Sequence, residues 1–291
     1  MRLASMTKTF TAVLTLKLVD EGLIDLDDTL ETWFPGKFSS GDAITVKMLL
    51  NHTSGLHDHQ GTTELVDSIL NTPERVWTQE EVLDLITSYP LDFTPGSSYS
   101  YSNAGYYVLG GIIEKASGMT VQEALEDRIF RCAAIENTAV IDGKATAPAA
   151  DFYSILLNQT ELSNVTDWNL SWNWTAGAGV TTASDMIRFL HLAFSSCLLS
   201  KERRTEMMTV QEPATQYGYG MNVKTYKGKT VVSHGGANPG NYGTWAYIPE
   251  IHAGFFIGLN RLDMSDPTTI SNQMQGVIDT MTDRLIAQAD K

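Results

Sequence analysis

The sequence predicts an α/β (α+β) fold in which an antiparallel sheet is flanked by helices and joined to a mainly helical domain. Through most of the 291-residue chain, apolar residues recur at helical spacing between Gly, Pro and cap residues. From Tyr217 the apolar residues alternate, which is typical of strands. After Pro267 the helical spacing returns. We therefore expect a discontinuous α/β domain of residues 1–22 and 205–291, with residues 23–204 forming the helical domain.

The separate elements follow from apolar stripes and end signals. The first helix, in TKTFTAVLTLKLVDEG, is expected to be amphipathic, with Phe10 and Leu14 on its apolar stripe, and to end at Gly22. Short turns are expected in LIDLDDTLETWFPG. Further helices are predicted after Thr45, after the capping-box pair Thr78 and Glu81, up to Gly118, after Thr120, and after Thr182 or Ser184. Four strands are predicted in YGYGMNVKTY, KTVVSHGG, YGTWAYIP and AGFFIGLN.

Composition excludes several classes of function. The net charge of −14 makes nucleic acid an unsuitable partner, because phosphate binding needs clustered Lys and Arg. No apolar run is long enough to span a membrane, and the N-terminus lacks the pattern of a signal peptide. The two cysteines, Cys132 and Cys197, are too few for a disulfide framework. Both lie among apolar residues, so they either pair or are buried free thiols.

Glycosylation sequons favour a secreted or periplasmic protein. They begin at Asn51, Asn158, Asn164, Asn169 and Asn173. Four of them fall within a short span, which in a eukaryotic protein predicts an exposed loop that carries glycans. In a bacterial protein the same span is only a polar loop.

The pair Ser5 and Lys8 is the first candidate for chemistry. Residues three apart share one face of a helix, so the amine of Lys8 can lie beside the hydroxyl of Ser5. The positive end of the helix favours an ionising oxygen there. The alternative is an ordinary helix start, since S-x-x-K occurs by chance roughly once in a chain of this length.

Two later motifs complete a possible catalytic set. Tyr101 and Asn103 precede a helix; a tyrosine near cationic amines can act as general base, and an asparagine can hold an amide or ester group. His234, Gly235 and Gly236 end a strand, and the two glycines would let a substrate lie against it. The N–H of Ala237 can then pair with the N–H of Ser5 as an oxyanion hole.

These motifs resemble the serine hydrolases that include penicillin-binding proteins, class C β-lactamases, DD-carboxypeptidases, D-aminopeptidases and related esterases. The resemblance extends through SMTKTFTA, ITVKMLLNHTSGL, FTPGSSYSYSNAGYYVLGGIIEKASG and AGAGVTTASDMIRFL. It implies a β-lactamase/transpeptidase-like fold, a Ser5 nucleophile that becomes acylated, Lys8 as its proton partner and Tyr101 as general base. It also implies that Asn103 contacts the substrate amide. Whether Lys8 or Tyr101 takes the first proton stays open.

The sequence departs from the family pattern in two places. Only four residues precede Ser5, where the family has several dozen that form a helix and the first strands. His234 replaces the usual lysine, and a histidine is charged only at lower pH, which disfavours β-lactamase activity. Two hypotheses follow: a hydrolase of small esters, amides or D-amino-acid peptides, or a truncated or inactive homologue that binds without turnover.

The remaining expectations concern ligands. The substrate is expected to be a small molecule or short peptide, and no cofactor is implied because Ser, Lys and Tyr supply the chemistry. His57, Asp58 and His59 lie close to His52, but their spacing matches no recognised zinc site, so no metal is expected. The family resemblance implies that this loop lies at the rim of the active site, where His57 or His59 would shape substrate entry.

Overall fold

Helix α1 (Thr7–Asp20) is the centre of the fold. The structure is a computed structural model that describes residues 1–140, 150–156, 160–195, 198–264 and 267–289. The expectation of an amphipathic helix is wrong, because every residue from Thr7 to Leu16 is buried. Apart from Lys8, the buried polar positions of this helix are threonines whose hydroxyls bond backbone carbonyls. Thr11 donates to the carbonyl of Thr175 at 2.7 Å, for example. A hydroxyl satisfied in this way can be buried at little cost. The helix gives way to a turn at Gly22, as predicted.

Eleven further α-helices lie in the described part of the chain: α2 (Leu30–Trp33), α3 (Val46–Leu50), α4 (Thr63–Asn71), α5 (Gln79–Thr87), α6 (Asn103–Ser117), α7 (Val121–Leu125), α8 (Arg131–Ala133), α9 (Trp174–Gly177), α10 (Ala183–Ser195), α11 (Lys201–Met207) and α12 (Pro267–Ala289). The predicted capping box at Thr78 is present, the predicted cap Thr120 also forms a capping box, and Thr182 caps α10. Helices α4 and α11 were not predicted, and each buries a single apolar residue. The expectation of turns alone in LIDLDDTLETWFPG is wrong, because α2 forms there.

Three antiparallel or mixed sheets occur among the described residues. Two are small: β1 (Ala139–Val140) pairs with β4 (Gly179–Val180), and β2 (Tyr153–Ile155) lies between β3 (Leu162–Asn164) and β9 (Arg261–Asp263). The main sheet is antiparallel and has the order β5 (Asn222–Tyr226), β6 (Lys229–Asn238), β7 (Asn241–Ile248), β8 (Ala253–Leu259). These are the four predicted strands, and the predicted class of fold is confirmed.

The main sheet separates two apolar layers. Alternate residues such as Val232 and Trp245 join the large core around α1, whereas Val231 and Ala246 pack toward α12. The division into residues 1–22 with 205–291 and residues 23–204 stays a prediction. The large core contains residues of both parts.

Several surface expectations are corrected by burial. Asn51, Asn169 and Asn173 are buried, so three of the expected glycan sites are enclosed by the fold, and of the described sequon asparagines Asn164 alone is exposed. Asn158 lies outside the described residues. The side chains of these asparagines form hydrogen bonds inside the fold: Asn169, for example, accepts the N–H of Ser171.

The cysteines also differ from expectation. Cys132 is a free and exposed thiol rather than a buried one, because it faces outward on the short helix α8. Cys197 lies outside the described residues. Among the helices that are described, none has both the length and the hydropathy needed to cross a membrane.

Candidate active site

Ser5 lies in a single 3₁₀ turn, Ala4–Met6, that leads directly into α1. The preceding Ala4 has a φ of 48°, in the left-handed region that non-glycine residues rarely adopt. Such a conformation costs on the order of 1–3 kcal/mol and is found mainly at functional sites. The turn is anchored from the other side, since the N–H of Leu3 donates to the carbonyl of Gly179 at 2.7 Å. The serine hydroxyl is thus presented at the positive end of a buried helix.

The amine of Lys8 lies between three oxygen atoms. Its Nζ is 2.6 Å from Oδ1 of Asn103, 2.8 Å from the carbonyl of Ala176 and 3.3 Å from Oγ of Ser5. The first two oxygens can only accept hydrogen bonds. A neutral amine would therefore spend its two N–H groups on Asn103 and Ala176 and direct its lone pair toward Ser5. This is the geometry of a general base beside its nucleophile.

The surroundings of Lys8 favour that neutral form. The side chain is fully buried, and burial lowers the pKa of its amine to about 7, although the Asp58 carboxylate opposes the shift. Two aromatic rings line the same space, with Nζ at 5.0 Å from the Tyr101 ring and 5.6 Å from the Tyr106 ring. Near neutral pH a large share of Lys8 is able to accept a proton.

Tyr101 lies beside Ser5, but the expectation that it ionises readily is wrong. Burial raises the pKa of Tyr101 above its ordinary value, and the hydroxyl of Ser5 offsets only part of this effect. The Tyr101 hydroxyl is buried and makes no well-formed hydrogen bond of its own. The predicted cationic neighbour is Lys8, whose own charge is reduced by burial, so it cannot stabilise a phenolate strongly. Tyr101 therefore carries its proton at neutral pH and is available as a donor.

Asn103 begins α6, and Ser102 caps the helix by accepting the N–H of Ala104. Both ends of the Asn103 amide are in use. Oδ1 accepts from Lys8, and Nδ2 donates to Oδ2 of Asp58 at 2.9 Å. The side chain is therefore part of the lysine's environment, in addition to its predicted contact with a substrate amide, which stays a prediction.

His234 is buried on β6 and has a defined tautomer. Its Nδ1 lies 2.6 Å from the carbonyl of Gly235, which can only accept, so Nδ1 carries the proton. Nε2 then accepts from the Tyr217 hydroxyl at 2.9 Å. Burial, with the nearby charge of Lys8, lowers the pKa of His234 to about 3. The expectation that this imidazole becomes charged near pH 6 is therefore wrong.

The end of β6 has an open edge toward Ser5. Strand β5 is paired with β6 only as far as Ser233. The described residues of β6 that follow have no paired strand on that side. On the other side Asn238 and Asn241 flank a two-residue turn and are therefore a hydrogen-bonded backbone pair. The adjacent pair, Ala237 with Tyr242, is then a pair whose backbone groups are not hydrogen-bonded to each other. The N–H of Ala237 thus points away from β7 and toward the open edge. Ser5 and Ala237 can supply the predicted pair of oxyanion donors.

Sequence reasoning missed several residues of the site. His52, at a φ of 61°, is buried with its ring 4.2 Å from that of Tyr101, and it accepts the N–H of Ser102. Asp58 and Tyr217 were also not assigned a role in catalysis. The sequence signal for Asp58 is the cluster of titratable residues around it, whose spacing matches no zinc site. In the described residues, no three His, Cys, Asp or Glu side chains are grouped as metal ligands would be.

The two neighbouring histidines differ from each other. His59 is fully buried, and its Nε2 lies 3.1 Å from the carbonyl of Trp172, so it cannot line the entrance as expected. His57 is partly exposed, pairs with Asp92 at 2.8 Å and stacks on Tyr89, which is compatible with a place at the rim.

A cavity of about 380 Å³ opens beside Ala237. Its walls are mainly apolar side chains: Val66, Ile69, Leu70, Trp172, Leu262 and Met264. Gln60 and Asn238 add polar groups at the wall nearest to β6, and Asn173 links them, since it accepts from Gln60 at 2.6 Å and donates to Asn238 at 2.9 Å. The cavity could hold an apolar group of a molecule bound at Ser5.

Comparisons with known proteins identify the family of the chain. The β-lactamase family model matches residues 1–275. Penicillin-binding protein 4* of Bacillus subtilis is 28% identical over 258 residues, which cover 82% of this chain and 55% of that protein. The chain thus spans only about half the length of this relative.

Solved structures give the same result. A D-stereospecific amidohydrolase from Streptomyces superposes with a TM-score of 0.84 at 29% identity, covering 90% of this chain and 82% of the other. The D-amino acid amidase of Ochrobactrum anthropi, complexed with D-phenylalanine, gives 0.80 at 27% identity, covering 92% and 79%. The fold is that of the β-lactamase family of serine hydrolases. The chain belongs to the β-lactamase family.

Proposed function

We propose that the protein is a serine hydrolase that forms an acyl-enzyme on Ser5 and then releases the acyl group to water or another acceptor. The observation that carries the proposal is the position of the Lys8 amine, 3.3 Å from the Ser5 hydroxyl with its other neighbours able only to accept. An inactive homologue would not need a buried lysine at this place whose pKa is lowered to about 7. The geometry therefore favours turnover over binding alone.

In the proposed reaction Lys8 takes the proton of the Ser5 hydroxyl as Oγ attacks the substrate carbonyl carbon. The N–H groups of Ser5 and Ala237 stabilise the oxyanion that forms. As the scissile bond breaks, Tyr101 gives its proton to the leaving amine or alkoxide and regains one from Lys8. Water then attacks the Ser5 ester by the same steps in reverse order, which releases the acid and restores the free serine.

The proposed substrates are amides or esters of small molecules, D-amino-acid derivatives among them, without a carboxylate beside the scissile bond. His234 is neutral and already bonded at both ring nitrogens, so it offers no charge to a carboxylate. The apolar cavity beside Ala237 suits an apolar substituent of the substrate. Similarity to enzymes named for D-amino acid amides supports the same class.

The test is covalent labelling followed by intact-mass measurement. A fluorophosphonate should add one adduct to the protein, at Ser5, and Ser5→Ala should remove both the adduct and the turnover of D-phenylalanine p-nitroanilide or a p-nitrophenyl ester. The substitution deletes one oxygen at a partly exposed position, so the melting temperature of the Ser5→Ala variant should equal that of the unaltered protein. Turnover that survives in Ser5→Ala would contradict the proposal.

A secreted or periplasmic location also stays a proposal. It depends on the sequons, and of those described only the one at Asn164 has an exposed asparagine.

A further inference from the structure

We propose that Asp58 is a positioning residue for catalysis, because its carboxylate decides which end of the Asn103 amide faces Lys8. This inference rests on the proposed roles of Ser5 and Lys8. It concerns a residue that touches neither the serine nor the lysine directly and that acts through one intervening side chain.

The hydrogen-bond pattern supplies the argument. Oδ1 of Asp58 accepts the backbone N–H of Gln60 at 3.2 Å, and Oδ2 accepts Nδ2 of Asn103 at 2.9 Å. A carboxylate can only accept, so the NH₂ group of Asn103 must face Asp58. Oδ1 of Asn103 is then left for Lys8, at 2.6 Å.

The opposite orientation of Asn103 would impair the base. Its NH₂ group would face Nζ of Lys8 and donate to the amine, which would occupy the lone pair that the reaction needs for Ser5. Asn103 is almost fully buried, so water cannot compensate for a wrongly turned amide. The fixed negative end of the chain Asp58–Asn103–Lys8 therefore keeps the lone pair of the amine directed at the nucleophile.

The charge of Asp58 also acts on Lys8, whose pKa it raises against the effect of burial. The other titratable side chains that face or influence this amine are the following: His52, His59, Tyr101, Tyr106 and His234. Burial lowers the pKa of all three imidazoles and raises that of both phenols, so the five stay neutral near pH 7. Asp58 is then the charged group whose removal should move the titration of Lys8.

The experiment is an exchange of the two side chains, read by the pH profile of kcat/KM for a p-nitrophenyl ester. In Asp58→Asn the new NH₂ group faces either the NH₂ group of Asn103 or the backbone N–H of Gln60. In both orientations two hydrogen-bond donors face each other. We expect kcat/KM on the plateau to fall at least tenfold and the acid limb to move to lower pH. In the double variant Asp58→Asn with Asn103→Asp, the amide now at position 58 again accepts from Gln60 and donates to the new carboxylate, which accepts from Lys8. On the plateau the double variant should exceed the single variant Asn103→Asp, which loses the same substrate contact. Its acid limb should move above the original position, because the charge is now next to the amine.

Asp92→Asn is the matched control, since it removes a carboxylate near the same loop that pairs with His57 and does not contact Asn103. It should leave the profile unchanged. A plateau in Asp58→Asn equal to that of the unaltered protein, or a loss of activity with an unmoved acid limb, would overturn the proposal. A folded exchange variant no more active than Asn103→Asp would overturn it as well. If the exchange variant fails to fold, the profile of Asp58→Asn decides alone. Failure of the proposed function is separate, because it would appear as absent labelling of Ser5 in the unaltered protein.

Discussion

Gly236 and Ser5 are in backbone contact: a Cβ atom at Gly236 would lie 2.6 Å from the nitrogen of Ser5. It would also lie 2.7 Å from the carbonyl oxygen of Leu3, and neither atom belongs to a side chain that could move aside. The second glycine of the His-Gly-Gly sequence is therefore a requirement of packing between β6 and the turn that carries the nucleophile. The first glycine has a different environment, because a Cβ at Gly235 would meet its nearest neighbour at an ordinary 3.6 Å.

Gly236→Ala should therefore displace Ser5 and lower the free energy of unfolding by about 1–3 kcal/mol, the usual effect of overpacking. Turnover should fall together with stability. Gly235→Ala is the matched control and should change stability by less than about 1 kcal/mol. Thermal unfolding and ester hydrolysis measured on both variants test this pair. Equal melting temperatures would show that β6 and the turn can separate without cost.

The pH profile of kcat/KM should have an acid limb with its midpoint near 7. This follows because Lys8 must be unprotonated to act as base and burial lowers its pKa to about 7. Activity should fall about tenfold for each pH unit well below the midpoint and stay constant above it. Lys8→Arg should be inactive throughout, since a guanidinium stays protonated. A rate that is independent of pH between 5 and 8 would exclude Lys8 as the base.

Tyr101→Phe is the control for this assignment. It removes the hydroxyl beside Ser5 and should lower the rate by about 10²–10⁴, as the loss of a proton donor does. The midpoint of the acid limb should stay near 7, because the titrating group remains. A midpoint that disappears with the tyrosine would assign the limb to Tyr101 instead.

Discrimination against substrate carboxylates should not depend on pH. With the pKa of His234 lowered to about 3, the imidazole stays neutral from pH 5 to 8. The ratio of kcat/KM for matched substrates with and without a carboxylate next to the scissile bond should then be constant over this range. His234→Lys should raise that ratio, because it adds a permanent charge. A ratio that rises on acidification of the unaltered protein would mean that His234 titrates in the accessible range.

The four strands, the cap residues and the proximity of Ser5 to Lys8 were predictable because each leaves a local mark in the sequence. Alternation of apolar residues defines β6 and β7, and the pairs at Thr78 and Thr120 define two helix starts. Residues that act together but lie far apart leave no such mark. Asp58 and Asn103 are 45 positions apart in the sequence, and their hydrogen bond is visible only in the folded structure.

The protonation states were beyond sequence reasoning for a physical reason. A motif identifies a tyrosine, a histidine and a lysine, but their pKa values depend on how completely the fold removes water from each one. Burial raises the pKa of Tyr101 and lowers those of His234 and Lys8, the last to about 7. The sequence left the choice of base between Tyr101 and Lys8 open, and burial favours the lysine.

The buried sequon asparagines have a consequence for the choice of expression host. Oligosaccharide transfer acts on the nascent chain, before Asn173 is enclosed between Gln60 and Asn238. A glycan attached there, or at Asn51 or Asn169, would prevent the native core from closing, so the chain would not reach its native fold. Recombinant protein should therefore be produced in bacteria that lack N-glycosylation, where every copy can complete its folding.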